Sequence, residues 1–134
     1  MSVSTKSIYG LRALLFLAKS DTDEPILLKK ISVNAGLPEK YLEAIFASLK
    51  TTNIVKAYRG KGGGYVLNKA ADRINLYEII SVCDGKFDLL ASNNESIVGS
   101  TAKIWEDLNR YNINYLKKIT LLDILGLEES MYYI

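Results

Sequence analysis

Apolar residues recur at helical spacing near the start of the chain. Ile8, Leu11, Leu15 and Ala18 fall three or four positions apart, and Leu14 and Leu17 widen the stripe. A helix is therefore predicted from about Thr5 to Lys19, capped by Ser4. Asp21-Thr22-Asp23-Glu24-Pro25 reads as a loop. A short helix from about Leu28 to Ala35 should stop at Gly36, which accepts the left-handed backbone of a helix end. Pro38 opens the next helix, where its missing N–H costs nothing. Leu42, Ile45, Phe46 and Leu49 form the buried stripe of that helix, and Glu39, Lys40, Glu43, Ala47 and Lys50 stay outside. Two helices of this length joined through Ala35-Gly36-Leu37 make a helix-turn-helix pattern, one that many helical proteins contain.

The period then changes. Ile54-Val55-Lys56-Ala57-Tyr58-Arg59 is β-prone and roughly alternating, Gly60-Lys61-Gly62-Gly63-Gly64 follows, and Tyr65-Val66-Leu67 is β-prone again. This is a hairpin with a flexible basic tip, placed directly after the second helix, which makes the pattern a winged helix. A nucleotide-binding loop would need Gly-Lys-Ser/Thr opening a helix, and here Lys61 leads into glycines and a strand. An RNA-binding Arg-Gly-Gly segment would normally repeat. A plain hairpin turn stays open as an alternative, although so many glycines beside Arg59 and Lys61 exceed what a turn needs.

Beyond residue 70 a helix is predicted from about Leu76 to Cys83, ended by Asp84-Gly85. Residues 86–98 lack a clear period and read as a loop. A longer helix follows from about Thr101 to Ile119. Ile104, Leu108, Tyr111 and Tyr115 form a heptad-like seam along it, with Trp105 and Ile119 alongside. This helix either packs on its own domain or meets a second chain. The second is the natural cover, because the preceding reading head has already used its own apolar faces. Thr120-Leu121-Leu122-Asp123 resembles a capping box that starts a final short helix. The expected fold is mainly α with a small β wing: a winged helix-turn-helix over residues 1–70, then a helical dimerisation and regulatory region over residues 71–134.

Charge adds a direction to this outline. Residues 1–70 hold 11 Lys and Arg against 5 Asp and Glu, whereas residues 71–134 hold 6 against 10. The split suits an N-terminal half that meets a polyanion, though solvated lysines divided by chance would look the same. The chain has no histidine and one cysteine, Cys83. The commonest acid/base catalyst and metal ligand is thus missing, and no spaced constellation of carboxylates, lysines or hydroxyls replaces it, so an enzyme is not expected. A lone cysteine forms no internal disulfide and favours a reducing compartment. With neither a signal-like start nor an apolar run long enough to span a bilayer, a cytoplasmic protein is expected.

The chain resembles the BadM/Rrf2 family of bacterial transcription regulators over nearly its whole length. The resemblance rests on Ser4-Thr5-Lys6 with Tyr9 and Leu11-Arg12-Ala13-Leu14, on Leu28-Lys29-Lys30-Ile31 and on Tyr41-Leu42-Glu43. Its most specific piece, Arg59-Gly60-Lys61-Gly62-Gly63-Gly64-Tyr65, is similar to the family's Arg-Gly-x-x-Gly-Gly-Tyr wing. Trp105 and Thr120-Leu121-Leu122 fall where the family has its long dimer helix and the following turn. The resemblance implies a homodimer on double-stranded DNA, with two recognition helices in successive major grooves of a near-palindromic operator. Glu39, Lys40 and Tyr41 would face bases or backbone, Arg59 would enter the minor groove, and Thr5, Lys6 and Lys61 would meet phosphates. Lys29, Pro38, Gly60, Gly62, Gly63 and Tyr65 complete the implied DNA face. Pro38 stands where the family often has serine, so a capping hydroxyl is lost.

Two further implications concern regulation. Cluster-bearing members place three cysteines between the fourth helix and the dimer helix, and Lys86 to Ser100 has none here. No iron–sulfur cluster or other cofactor is therefore expected. Cys83 reads as a buried core residue or, alternatively, as a redox switch. The terminus Ser130-Met131-Tyr132-Tyr133-Ile134 is similar to that of a cluster-free cysteine-metabolism regulator in the family, which works with cysteine synthase. Tyr132, Tyr133 and Ile134 are thus candidates for docking on such an enzyme, the alternative being a frayed tail packed on the dimer. A winged helix can also serve purely as a protein-docking module, which leaves that alternative to DNA binding open.

Overall fold

A computed structural model describes residues 3–20, 23–90 and 94–132. Helix α1 spans Thr5–Lys19, α2 Leu28–Ala35 and α3 Glu39–Thr51; strands β1 (Val55–Tyr58) and β2 (Gly64–Leu67) follow, then α4 (Leu76–Asp84), α5 (Ala102–Lys118) and α6 (Leu121–Tyr132). The two strands pair antiparallel, with Val55 opposite Leu67 and Tyr58 opposite Gly64. This is the mainly helical winged helix-turn-helix expected, with a two-stranded wing.

Local signals set most of the boundaries. Ser4 caps α1 through the Ser7 N–H, and Gly36 ends α2 in the left-handed conformation at φ 68°. Pro38 lies one position before α3 as its N-cap rather than inside it, with extended backbone and no side-chain bond to the helix. The capping box at the start of α6 closes in both directions: the Thr120 N–H donates to Asp123, and the Asp123 N–H donates to Thr120 Oγ1.

One hydrophobic core gathers the inner faces of these elements. Ala13 and Leu14 of α1, Ile31 of α2, and Leu42, Ile45, Phe46 and Leu49 of α3 are completely shielded from solvent. The same cluster contains Ile74, Ile79 and Cys83 around α4, and Leu121 at the start of α6. Packing does not break at residue 70. Helix α6 returns to lie along α1, with Ile124 and Leu125 against the core, and an ion pair joins Lys19 of α1 to Glu128 of α6. The corner that turns α5 into α6 is stitched to the segment before α4. The Leu76 N–H donates to Ile119 at 2.8 Å and the Leu121 N–H to Ile74 at 3.0 Å.

Helix α5 is the exception. None of its residues is buried, although its inner side packs on α4. Between α4 and α5, Asn109 pins the loop: its side chain accepts the Leu89 N–H at 2.9 Å and donates to Asp88 at 3.1 Å. Among the described residues no helix is long and apolar enough to cross a membrane.

Because Leu121 is fully enclosed, Leu121→Ala should destabilise the whole chain by about 2–5 kcal/mol, the usual cost of emptying such a site. A single cooperative urea transition that shifts as a whole would show that α6 belongs to the core. An unchanged midpoint would show that it does not.

Candidate nucleic-acid interface

The start of α3 is open to solvent. Glu39, Lys40, Tyr41, Glu43 and Ala44 all face solvent, while Leu42, Ile45 and Phe46 turn inward. Helix α1 meets this end of α3 with its own first turns. Lys6 shares a shallow groove with Pro38, Lys40 and Tyr41. The Tyr9 ring stands edge-on to Tyr41 at 5.3 Å, and the Arg12 guanidinium lies 5.7 Å from the Tyr9 ring centre. Tyr9 and Arg12 thus join a surface on which only Thr5 and Lys6 were expected from α1. The sequence signal for them was their place one and two helical turns after Thr5.

On the other side of α3 a second groove separates it from the wing. Lys29, Lys50 and Arg59 line it together with the carboxylates Glu39 and Glu43. Ion pairs among the described residues join Lys19 to Glu128, Lys69 to Glu78, and Lys103 and Arg110 to Asp107; none engages Lys29, Lys40, Lys50, Arg59 or Lys61. Those five cations remain available to a polyanion.

The wing glycines divide into two kinds. Gly60 and Gly62, at the tip with Lys61, have positive φ and open space around them. Gly63 and Gly64 serve the protein's own packing: a Cβ on Gly64 would stand 2.4 Å from the Ile26 backbone, and one on Gly63 2.4 Å from the Tyr58 carbonyl oxygen. Tyr65 likewise differs from the implied DNA face. Its ring packs edge-on to Phe46 at 4.8 Å, and its backbone exchanges hydrogen bonds with Ile26 at 2.8 and 2.9 Å. Tyr65 anchors the wing to the head, and Arg59, Gly60, Lys61 and Gly62 are left as its outward tip.

Along α5 the expected seam is open. Ile104 is 64% exposed and Tyr111 70%, and Leu108 and Tyr115 complete the same stripe at spacings of four, three and four. Trp105 flanks it. Ile119 does not join it, being the half-buried residue that ends the helix and accepts the Leu76 N–H. Tyr132 ends α6, whereas Tyr133 and Ile134 lie outside the described residues.

The profile of the Rrf2 family, described as iron-dependent transcriptional regulators, matches residues 3–126. The chain belongs to the Rrf2 family. Among its relatives, the transcriptional regulator IscR of Erwinia tasmaniensis is 32% identical over 98% of this chain and 82% of that protein. The structure of IscR from T. potens superposes with a TM-score of 0.79 at 35% identity, covering 98% of this chain and 90% of that one. The structure of CymR, the global cysteine regulator of B. subtilis, gives 0.78 at 32% identity over 95% and 98%. This chain is accordingly a DNA-binding transcriptional regulator of the IscR/CymR kind.

The family description raises the question of iron, and the residues do not fit a protein-held cluster. Such clusters need several thiolates, and this chain offers one. Among the described residues no group of three or more His, Cys, Asp or Glu is placed to hold a metal ion. The single thiol, Cys83, is buried between α4 and α1, where a Cβ on Gly10 would approach its sulfur to 3.0 Å. Burial and then the neighbouring Asp84 charge push this thiol up to about 11, against the opposing influence of Lys6 and Ser7. Asp84 itself is held below the usual carboxylate range. Its partial burial acts the other way, but hydrogen bonds from Ser4 and Ser7 and the Lys6 charge outweigh it.

A thiol raised to about 11 is almost wholly protonated near neutrality, and the thiolate is the reactive form. Iodoacetamide at pH 8 should therefore modify native Cys83 at least about 100-fold more slowly than the unfolded chain. Because folding disfavours the thiolate, stability should fall as pH rises from the ordinary thiol range towards 11. Labelling of Cys83 that leaves DNA affinity unchanged would exclude a redox switch there.

Proposed function

We propose that this Rrf2-family regulator is a homodimeric repressor that reads a near-palindromic operator, without an iron–sulfur cluster, and controls genes of cysteine metabolism. The observation that carries the reading is the basic surface around α3, with Lys6 and Lys40 on one side and Lys29, Lys50 and Arg59 on the other. Each α3 would enter a major groove, where Glu39, Lys40, Tyr41 and Glu43 can reach base edges. The wing tip would place Arg59 in the flanking minor groove, and Thr5, Lys6 and Lys61 would hold phosphates. Glu39 and Glu43 oppose non-specific attraction, so a sequence able to satisfy them gains an advantage over bulk DNA.

Dimerisation is supported by the uncovered stripe on α5. Four large apolar side chains on one helical face are poorly placed in water, and antiparallel packing on a second copy would bury them. Binding over promoter elements then suffices for repression. The cysteine assignment draws on the similarity to CymR and on the missing thiolates. A cysteine synthase docked on Tyr132, Tyr133 and Ile134 is the partner consistent with that assignment.

Selection of bound sequences from a random duplex library at near-physiological salt tests the reading. It should yield a dyad-symmetric motif with A·T-rich flanks that maps to promoters of sulfur genes. Arg59→Ala should cost about 1–3 kcal/mol on that motif. No enrichment over background would overturn the operator reading, and a motif mapping elsewhere would overturn the cysteine assignment.

The Leu108→Glu/Tyr111→Glu double variant should sediment as a folded monomer and lose most of its operator affinity, because two half-sites then bind independently. If it remains a dimer, the interface lies elsewhere.

A further inference from the structure

Asp84 stands where its own helix does not favour it. It is the last residue of α4, and the partial negative charge at a helix C-terminus opposes a carboxylate. What it meets is the positive N-terminus of α1. Its carboxylate accepts the Ser4 N–H at 3.2 Å and the hydroxyls of both Ser4 and Ser7. Ser4 is at the same time the N-cap of α1, its Oγ accepting the Ser7 N–H at 3.4 Å. One carboxylate thus gathers three donors from residues 77 and 80 positions away and locks the turn between them.

That turn carries the exposed Thr5 and the half-buried Lys6, and Lys6 lies in the groove beside Pro38, Lys40 and Tyr41 of the recognition helix. We propose that Asp84 is a positioning residue for DNA binding, fixing the first turn of α1 so that Thr5 and Lys6 meet the DNA backbone next to α3. The inference rests on the reading above that Lys6 is a phosphate contact. Asp84 acts through Ser4 and Ser7, because its own charge facing a phosphate would be repulsive and would weaken binding. Its removal therefore has two opposite consequences: a loss if the residue positions the turn, a gain if it merely adds negative charge to the DNA face.

The test is the affinity of the full chain for a mixed-sequence duplex of roughly 30 base pairs, long enough for two half-sites, measured by anisotropy over a series of salt concentrations. Lys6→Ala, Asp84→Ala, Asp84→Glu and the Lys6→Ala/Asp84→Ala double variant are compared under conditions where circular dichroism shows each to be folded. Asp84→Ala should bind about five- to tenfold more weakly, with a salt slope smaller by about one phosphate contact per protomer, matching Lys6→Ala. The double variant should be no worse than either single one, since both remove the same contact. Asp84→Glu, which keeps the charge but moves it by a methylene, should fall between Asp84→Ala and the parent; it also serves as the test should Asp84→Ala fail to fold.

Equal or tighter binding by Asp84→Ala, additive losses in the double variant, or parental affinity in Asp84→Glu would each overturn the assignment. A lower melting temperature with an unchanged salt slope would also overturn it, leaving Asp84 a structural residue only. If Lys6→Ala alone leaves the slope unchanged, it is the phosphate reading of Lys6 that fails, and this inference falls with it.

Discussion

Helix α1 holds the molecule together, and it can do so because Gly10 lets α4 come close. A side chain at that position would meet Cys83 at 3.0 Å and Ile45 at 3.4 Å, so the absence of a Cβ sets how α1, α3 and α4 converge. Around this pinch α1 packs against α2, α3, α4, α6 and β2. Its inner residues Ala13, Leu14 and Leu17 belong to the one core cluster. Full burial of a leucine or isoleucine is worth about 1.5–3 kcal/mol, so the elements that α1 gathers hold one another in place. A glycine inside a helix costs roughly 1 kcal/mol relative to alanine. At Gly10 that local cost is accepted in exchange for a close approach that no larger residue would permit without displacing Cys83 or Ile45.

This arrangement explains which parts of the fold were legible in the sequence. Signals confined to a few neighbouring residues transferred directly. The stripe of Leu42, Ile45, Phe46 and Leu49 set the buried side of α3, Gly36 ended α2, and Thr120 with Asp123 began α6. Features fixed by distant contacts did not transfer. The return of α6 onto α1 joins positions about a hundred residues apart, and the dense apolar run from Leu121 to Leu127 does not reveal a preferred face. The wing tested the reading more finely. Its glycines suggested a flexible tip, yet Gly63 and Gly64 answer to the backbones of Tyr58 and Ile26. Alternation in a two-stranded ribbon does not say which side meets the head, so the inward role of Tyr65 was likewise out of reach.

The candidate DNA face shows the same division. Lys40, Arg59 and Lys61 were expected from their position in the motif, and their side chains are exposed and form no ion pair among the described residues. Tyr9 and Arg12 entered through geometry: the ring of Tyr9 links Arg12 to Tyr41 across two helices. Ile119 drops out of the apolar seam for a related reason. The heptad spacing runs past the point where the helix stops, and hydrogen bonding at the α5–α6 corner takes its backbone.

Among the described residues, side-chain hydrogen bonds hold the start of the segment between α4 and α5. Asn109 of α5 anchors it through Asp88 and the Leu89 N–H. The same stretch begins at Asp84, whose carboxylate reaches the first turn of α1, and ends on α5 beside the uncovered apolar stripe. A displacement of α5 would thus press on a segment held by side-chain hydrogen bonds, each worth about 0.5–1.5 kcal/mol net. An anchor of that size can be shifted by the differential binding of an ordinary partner, since moving a two-state equilibrium by a few kcal/mol needs only a hundredfold or so preference for one state. Held by one Asp–Asn pair, the position of α5 is therefore open to change by contact at its uncovered apolar stripe.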